Sequence, residues 1–127
     1  MRRILLIDDH DANQDLISRY LNFFGYAVEI AGDGKSGLAT ARHTADELDV
    51  VLLDMNLPDI DGWEVARVMK ADALVSHLPI IAVTAHAMLG DREAILACGC
   101  DDYISKPIDF QLLLDKIELH SKRVPQT

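Results

Sequence analysis

Short, continuous apolar runs alternate along this chain with stretches of helical spacing, and that change of period restricts the fold more than any other feature. Ile4 to Ile7, Val50 to Leu53 and Ile80 to Val83 are unbroken apolar runs, as expected of strands buried on both faces of a parallel sheet. After the first of them, Leu16, Ile17, Tyr20, Leu21 and Phe24 form one apolar stripe at helical spacing. Such alternation predicts βα units wound around a parallel sheet.

The pattern repeats until the chain is used up. Strands are expected at about Ile4 to Asp8, Tyr26 to Ile30, Asp49 to Asp54, Pro79 to Thr84 and Asp101 to Ser105. Helices are expected from Asp11 to a stop at Gly25, from Lys35 to Ala45, from Trp63 to Ala73, from Gly90 to Cys98 and from Phe110 to His120. The third helix should bury Val65, Val68 and Met69, and the last should turn Phe110, Leu113, Leu114 and Ile117 inward. The third strand is the most apolar and should lie at the centre. The fourth helix is only modestly apolar, carries Gly90 at its start and should be the least stable.

At 127 residues, with 50% hydrophobic and 26% charged residues, the chain is read as one globular domain, residues 1–127, with no effector domain. A formal net charge of -9 argues against a nucleic-acid partner, which needs a positive patch. No apolar stretch approaches the roughly 20 residues of a membrane span, so no membrane partner and a cytoplasmic location are expected. Two cysteines, Cys98 and Cys100 around Gly99, are too few for a disulfide framework and are read as packing residues at a helix end.

The chemistry lies where the runs stop. The first ends on Asp8 and Asp9, the third strand on Asp54, the fourth on Thr84 and the last on Lys106. In a parallel sheet these groups gather at the carboxyl edge, where open α/β sheets bind ligands. Three neighbouring carboxylates raise one another's pKa unless a cation neutralises them, and Asp8, Asp9 and Asp54 suit a hard divalent ion such as Mg²⁺. An aspartate beside such an ion is a competent nucleophile towards phosphorus. Lys106 would then neutralise charge on the phosphoryl oxygens, and Thr84 would offer them a hydroxyl.

These residues, together with the Asp54-Met-Asn-Leu-Pro-Asp-Ile-Asp-Gly62 segment, the Thr84-Ala85 step and Tyr103-Ile-Ser-Lys106-Pro107, resemble the receiver domain of two-component response regulators, of the single-domain type. The resemblance runs from Arg3 to about His120. It implies a flavodoxin-like (βα)5 fold, a doubly wound five-stranded parallel sheet in the order 2-1-3-4-5. It also implies that Asp54 accepts a phosphoryl group from a histidine kinase or histidine phosphotransfer protein. Asp9, Asp54 and the backbone carbonyl of Asn56 would bind Mg²⁺, with Asp8 acting through water. Thr84 and Lys106 would hold the phosphoryl group, and Tyr103 would switch rotamer as Thr84 moves. The readout to a downstream protein target would be the face of the fourth helix, fifth strand and fifth helix, in a monomer or a phosphorylation-dependent dimer. The resemblance further implies a cis peptide before Pro107.

Asn56 and His86 stand two residues beyond Asp54 and Thr84, at positions where this family varies, and are expected to tune the phosphoryl lifetime. His10, His43, His77 and His120 share no face and are read as surface residues. The chain is not expected to be an enzyme beyond its own phosphorylation and dephosphorylation. A small Mg²⁺-dependent aspartyl-phosphate phosphohydrolase is the competing catalytic reading; it would want an acid/base carboxylate where Asn56 stands, and a cap this length barely allows. A receiver separated from a hybrid histidine kinase or larger regulator would carry the same motifs, although the Met1 start and the Val124 to Thr127 ending weigh against it. A purely structural module of the same fold would leave the acidic cluster unexplained.

Overall fold

The computed structural model describes residues 2–85 and 89–121, with Leu89 and Gly90 described by their backbone alone. The elements alternate as β1 (Arg2–Ile7), α1 (Asp11–Phe23), β2 (Tyr26–Ala31), α2 (Gly34–His43), β3 (Val50–Asp54), α3 (Gly62–Ala71), β4 (Ile80–Thr84), α4 (Leu89–Ala97), β5 (Asp102–Ser105) and α5 (Phe110–Ser121). The five strands are parallel in the order β2-β1-β3-β4-β5, with the apolar β3 at the centre. Each element lies within a residue or two of its expected place.

The period of two in the strands divides the core into two layers. Leu5, Ile7, Val51, Leu53, Ile80 and Ala82 pack against Ala41 of α2, Val65, Ala66 and Met69 of α3, and Ile95 of α4. Ile4, Leu6, Val50, Leu52, Ile81, Val83 and Ile104 face the other way, onto Ile17 and Leu21 of α1 and Leu113, Leu114 and Ile117 of α5. Phe110 is half-buried against this second layer.

Two helical faces are narrower than their sequences suggested. In α3, Val68 is 39% exposed and Ala66 is buried, because the face turned inward is that of Gly62, Val65, Ala66 and Met69, and at about 3.6 residues per turn Val68 lies off it. In α1 only Ile17 and Leu21 are buried, while Leu16 and Phe24 are 56% and 46% exposed. Residues four apart share one line on a helix, and a single line is what the sheet covers here. In α4, Ile95 is the one buried side chain among those described, which leaves this helix with little anchorage, in line with its weak apolar pattern.

Helix ends are closed by loop carboxylates. Asp33 accepts a hydrogen bond from Ser36 N–H at 2.7 Å, and Asp61 one from Glu64 N–H at 2.9 Å, as N-cap residues do. Asp59, in the β3–α3 loop, reaches the same α2 terminus and accepts from Gly34 N–H at 2.7 Å and Lys35 N–H at 3.0 Å. The Lys35 bond in particular, with that from Gly34, holds its carboxyl down at about 2. At the other end of a helix, Gly99 follows α4 with φ +116, a conformation that side-chain-bearing residues rarely adopt. Beside it Cys100 is buried, and burial together with Cys98 pushes its thiol pKa up.

Gly62 opens α3 directly against the end of β3. A Cβ there would fall 2.5 Å from Met55 Cα and 2.8 Å from the Asp54 carbonyl oxygen. We therefore expect Gly62→Ala to cost about 1–3 kcal/mol in urea unfolding, as other overpacking changes do. Gly32→Ala, whose Cβ would meet nothing within 4 Å, should change stability by less than about 0.5 kcal/mol. Equal effects of the two substitutions would contradict this packing account.

Candidate functional site

In this strand order β1 sits between β2 and β3, so the chain leaves β1 and β3 towards opposite faces and opens a crevice at their carboxyl ends. Asp8 and Asp9 follow β1 and Asp54 ends β3. Donor atoms of Asp8, Asp9, His10 and Asp54 lie within 4.8 Å of one another.

The depth of the carboxylates differs. Asp54 is fully buried, Asp8 is 1% exposed, and the Asp9 side chain is 28% exposed. Asp54 Oδ1 accepts Asn56 N–H at 2.9 Å, and Oδ2 stands 3.3 Å from Lys106 Nζ. Asp8 Oδ1 accepts His10 N–H at 2.8 Å, and its backbone is clamped by Asp8 N–H to the Ala31 carbonyl at 3.0 Å and by Gln14 Nε2 to the Asp8 carbonyl at 2.6 Å. Burial drives the Asp8 carboxyl above its ordinary value. The Asp54 charge adds to the rise, against the His10 hydrogen bond and the Lys106 charge.

The donor set fits a hard divalent cation. Asp9 Oδ1 is enclosed and accepts no hydrogen bond; His10 Nδ1 lies 3.1 Å away. An enclosed carboxylate oxygen without a donor is costly, and a cation between Asp9 and Asp54 would satisfy it.

The remaining predicted residues converge on the same edge. Asp54 pairs with Val83 and Thr84 with Ser105 in the sheet register, which puts Thr84 and Lys106 beside the Asp54 carboxyl. Thr84 is 2% exposed, and its carbonyl accepts Lys106 N–H at 2.8 Å. The Lys106–Pro107 bond is cis. Asn56 is exposed at the mouth of the crevice. His86 lies outside the described residues.

Tyr103 sits on β5 between two helices, its ring 5.6 Å from the Arg92 guanidinium of α4 and 5.5 Å from Lys116 Nζ of α5. Such cation–π contacts tie an aromatic ring to both neighbours. Next to it, Asp102 accepts from Lys116 Nζ at 2.7 Å and lies 3.0 Å from His120 Nε2.

Two histidines therefore do more than surface residues would. His10 joins the acidic crevice, a role that its position directly after Asp8-Asp9 could have signalled. His120 belongs to the Asp102 cluster, which nothing in the local sequence marks, because it forms only when α5 packs across β5.

The protein matches the family model described as the response regulator receiver domain over residues 4–118. It is 35% identical over 117 residues to the polar-differentiation response regulator DivK of Brucella ovis, covering 92% of this chain and 94% of DivK. It is also 38% identical over 122 residues to hybrid signal transduction histidine kinase I of Dictyostelium discoideum, covering 91% of this chain but spanning only 7% of that kinase's length. Among solved structures, the receiver domain of a sensor histidine kinase from Pseudomonas aeruginosa, with a magnesium ion coordinated in its active-site cleft, is 34% identical. Its TM-score is 0.87, over 96% of this chain and 98% of that one. A CheY-like receiver domain protein from Methanospirillum hungatei is 37% identical with a TM-score of 0.82, over 95% and 94% of the two chains.

Burial alone would raise the Asp102 carboxyl, but the Lys116 and His120 contacts and Tyr103 N–H hold it below the ordinary 3.8. A depressed folded-state pKa adds stability that is present above 3.8 and lost as pH falls through the lower folded value. The wild type should therefore lose stability more steeply on acidification below 3.8 than Asp102→Asn. Parallel acid limbs in chemical unfolding would contradict this assignment.

Proposed function

The chain belongs to the response regulator receiver domain family, and on that premise we propose that it accepts a phosphoryl group on Asp54 from a phosphohistidine donor and answers by altering the face formed by α4, β5 and α5. The observation that carries this reading is the setting of Asp54, a fully buried carboxylate with Lys106 Nζ 3.3 Å from one oxygen and Asn56 N–H on the other.

In this reading an Asp54 oxygen attacks the phosphorus of the donor. The N–P bond breaks, and its electron pair returns to the donor's imidazole. Lys106 neutralises charge on the transferred oxygens, and the Thr84 hydroxyl donates to one of them, so catalysis is positioning and electrostatics. Asp9, Asp54 and the Asn56 carbonyl would hold Mg²⁺, with Asp8 acting through water, and the ion would supply the charge neutralisation that lets an anionic carboxylate meet an anionic phosphoryl group. Asn56 and His86, two residues beyond Asp54 and Thr84 in the sequence, would set how long the signal lasts.

Phosphorylation brings about -1.5 to -2 charge to a site with no room to dilute it. Movement of Thr84 towards the new oxygens would open space for Tyr103. That ring already touches α4 through Arg92 and α5 through Lys116, so a change at the crevice would pass to both helices. The donor would be a histidine kinase or histidine phosphotransfer protein, and the receiver of the signal a downstream protein, met by a monomer or a phosphorylation-induced dimer in the cytoplasm. No described helix is long and apolar enough to cross a membrane. Catalysis would be confined to the chain's own phosphorylation and dephosphorylation. The likeness to kinase receivers keeps a second setting open, the same domain within a larger kinase, with unchanged chemistry at Asp54.

With Mg²⁺ and acetyl phosphate, the wild type should gain the mass of one phosphoryl group, and Asp54→Asn should gain none while keeping its circular dichroism spectrum. Equal labelling of a folded Asp54→Asn protein would overturn the assignment.

A further inference from the structure

His10 is spare in a way its neighbours are not. It is the N-cap residue of α1, yet its side chain makes no capping hydrogen bond; its backbone N–H donates to Asp8 Oδ1 and its carbonyl accepts Gln14 N–H. The ring turns back over the crevice. Its Nδ1 lies 3.1 Å from Asp9 Oδ1, 3.6 Å from Asp8 Oδ1 and 3.9 Å from Asp54 Oδ2, with 60% of the side chain exposed.

Two of these spacings suit donors around one cation. In an octahedral shell with bonds of about 2.1 Å, adjacent donors are about 3.0 Å apart and opposite ones about 4.2 Å. The 3.1 Å from Nδ1 to Asp9 Oδ1 matches an adjacent pair and the 3.9 Å to Asp54 Oδ2 approaches an opposite one, whereas the 3.6 Å to Asp8 Oδ1 matches neither, in keeping with Asp8 acting through water; Asp9 Oδ1 is also the enclosed oxygen with no hydrogen bond. Carboxylate, carbonyl and water donors suit Mg²⁺, whereas an imidazole nitrogen favours Co²⁺, Ni²⁺ and Zn²⁺.

We propose that His10 is a nitrogen ligand to the cation at this crevice and shifts its preference from Mg²⁺ towards borderline transition metals such as Co²⁺ and Ni²⁺. The inference rests on the receiver reading, since it places His10 on the same cation as Asp9 and Asp54. His10 contributes little to Mg²⁺ binding, because Mg²⁺ keeps water in preference to nitrogen. With Co²⁺ or Ni²⁺ the ring replaces one of those waters. The cation present would then depend on metal supply as well as on the acidic residues.

Calorimetric titration of the full chain with Mg²⁺ and with Co²⁺ tests this, together with the visible d–d spectrum of the Co²⁺ form. His10→Ala should weaken Co²⁺ by roughly 10-fold or more, a loss of at least about 1.4 kcal/mol, alter that spectrum and change Mg²⁺ affinity less than about 3-fold. His10→Asn, which restores a good N-cap residue without an imidazole, should behave the same way and separates ligation from helix stability. Asp9→Asn should weaken both metals. If Mg²⁺ binds and Asp9→Asn abolishes it, but His10→Ala leaves Co²⁺ affinity and spectrum unchanged, the His10 inference fails and the receiver reading stands. If neither metal binds, or Asp9→Asn changes nothing, both fail.

Discussion

Two nearly inaccessible carboxylates, Asp8 and Asp54, stand beside a third at one sheet edge, and the rest of the structure serves to keep them there. Like charges this close repel and are poorly hydrated. The neighbouring chain therefore offers what relief it can without cancelling the charge. Asn56 N–H and His10 N–H each donate to one carboxylate, and Lys106 supplies a cation from the far side. The first two donors are backbone groups, and Lys106 is itself anchored by its N–H to the Thr84 carbonyl, so the geometry does not depend on mobile side chains alone.

The parallel sheet makes this possible because it delivers polar residues to one edge while burying everything behind them. Alternate residues of β1, β3 and β4 fill two apolar layers, and the first residue beyond each buried run is left at the rim. Gly62 extends the same logic. The absence of a Cβ lets α3 start against the backbone of Asp54 and Met55. On the other side of the crevice, Ile95 is the one buried side chain of α4 among those described, and Arg92 lies over the Tyr103 ring. Elements with so little buried surface are the ones that move when a site changes charge.

Much of this was legible in the sequence, for a simple reason: buried parallel strands are continuous apolar runs, and their ends announce themselves. Asp8, Asp9, Asp54, Thr84 and Lys106 all stand where such a run stops. What was not legible depended on packing between elements. A helical wheel marks Val68, Leu16 and Phe24 as part of an apolar face but says nothing of how much of that face the sheet covers. Asp59 looks like one more acidic residue in the loop after Asp54, yet it closes the N-terminus of α2, a contact across 25 residues of chain. The Asp102–Lys116–His120 cluster and the turn of His10 over the crevice are equally products of the assembled fold.

Charge placed at Asp54 should be felt on the opposite side of β5, and on this the proposed switch stands or falls. Backbone amide shifts of the uniformly labelled protein, recorded in Mg²⁺ before and after addition of beryllofluoride, test it most directly. Changes are expected at Asp54, Thr84 and Lys106 that continue through Tyr103 into α4 and the Lys116–His120 turn of α5. Changes confined to the crevice, with Tyr103 and Lys116 unmoved, would contradict it.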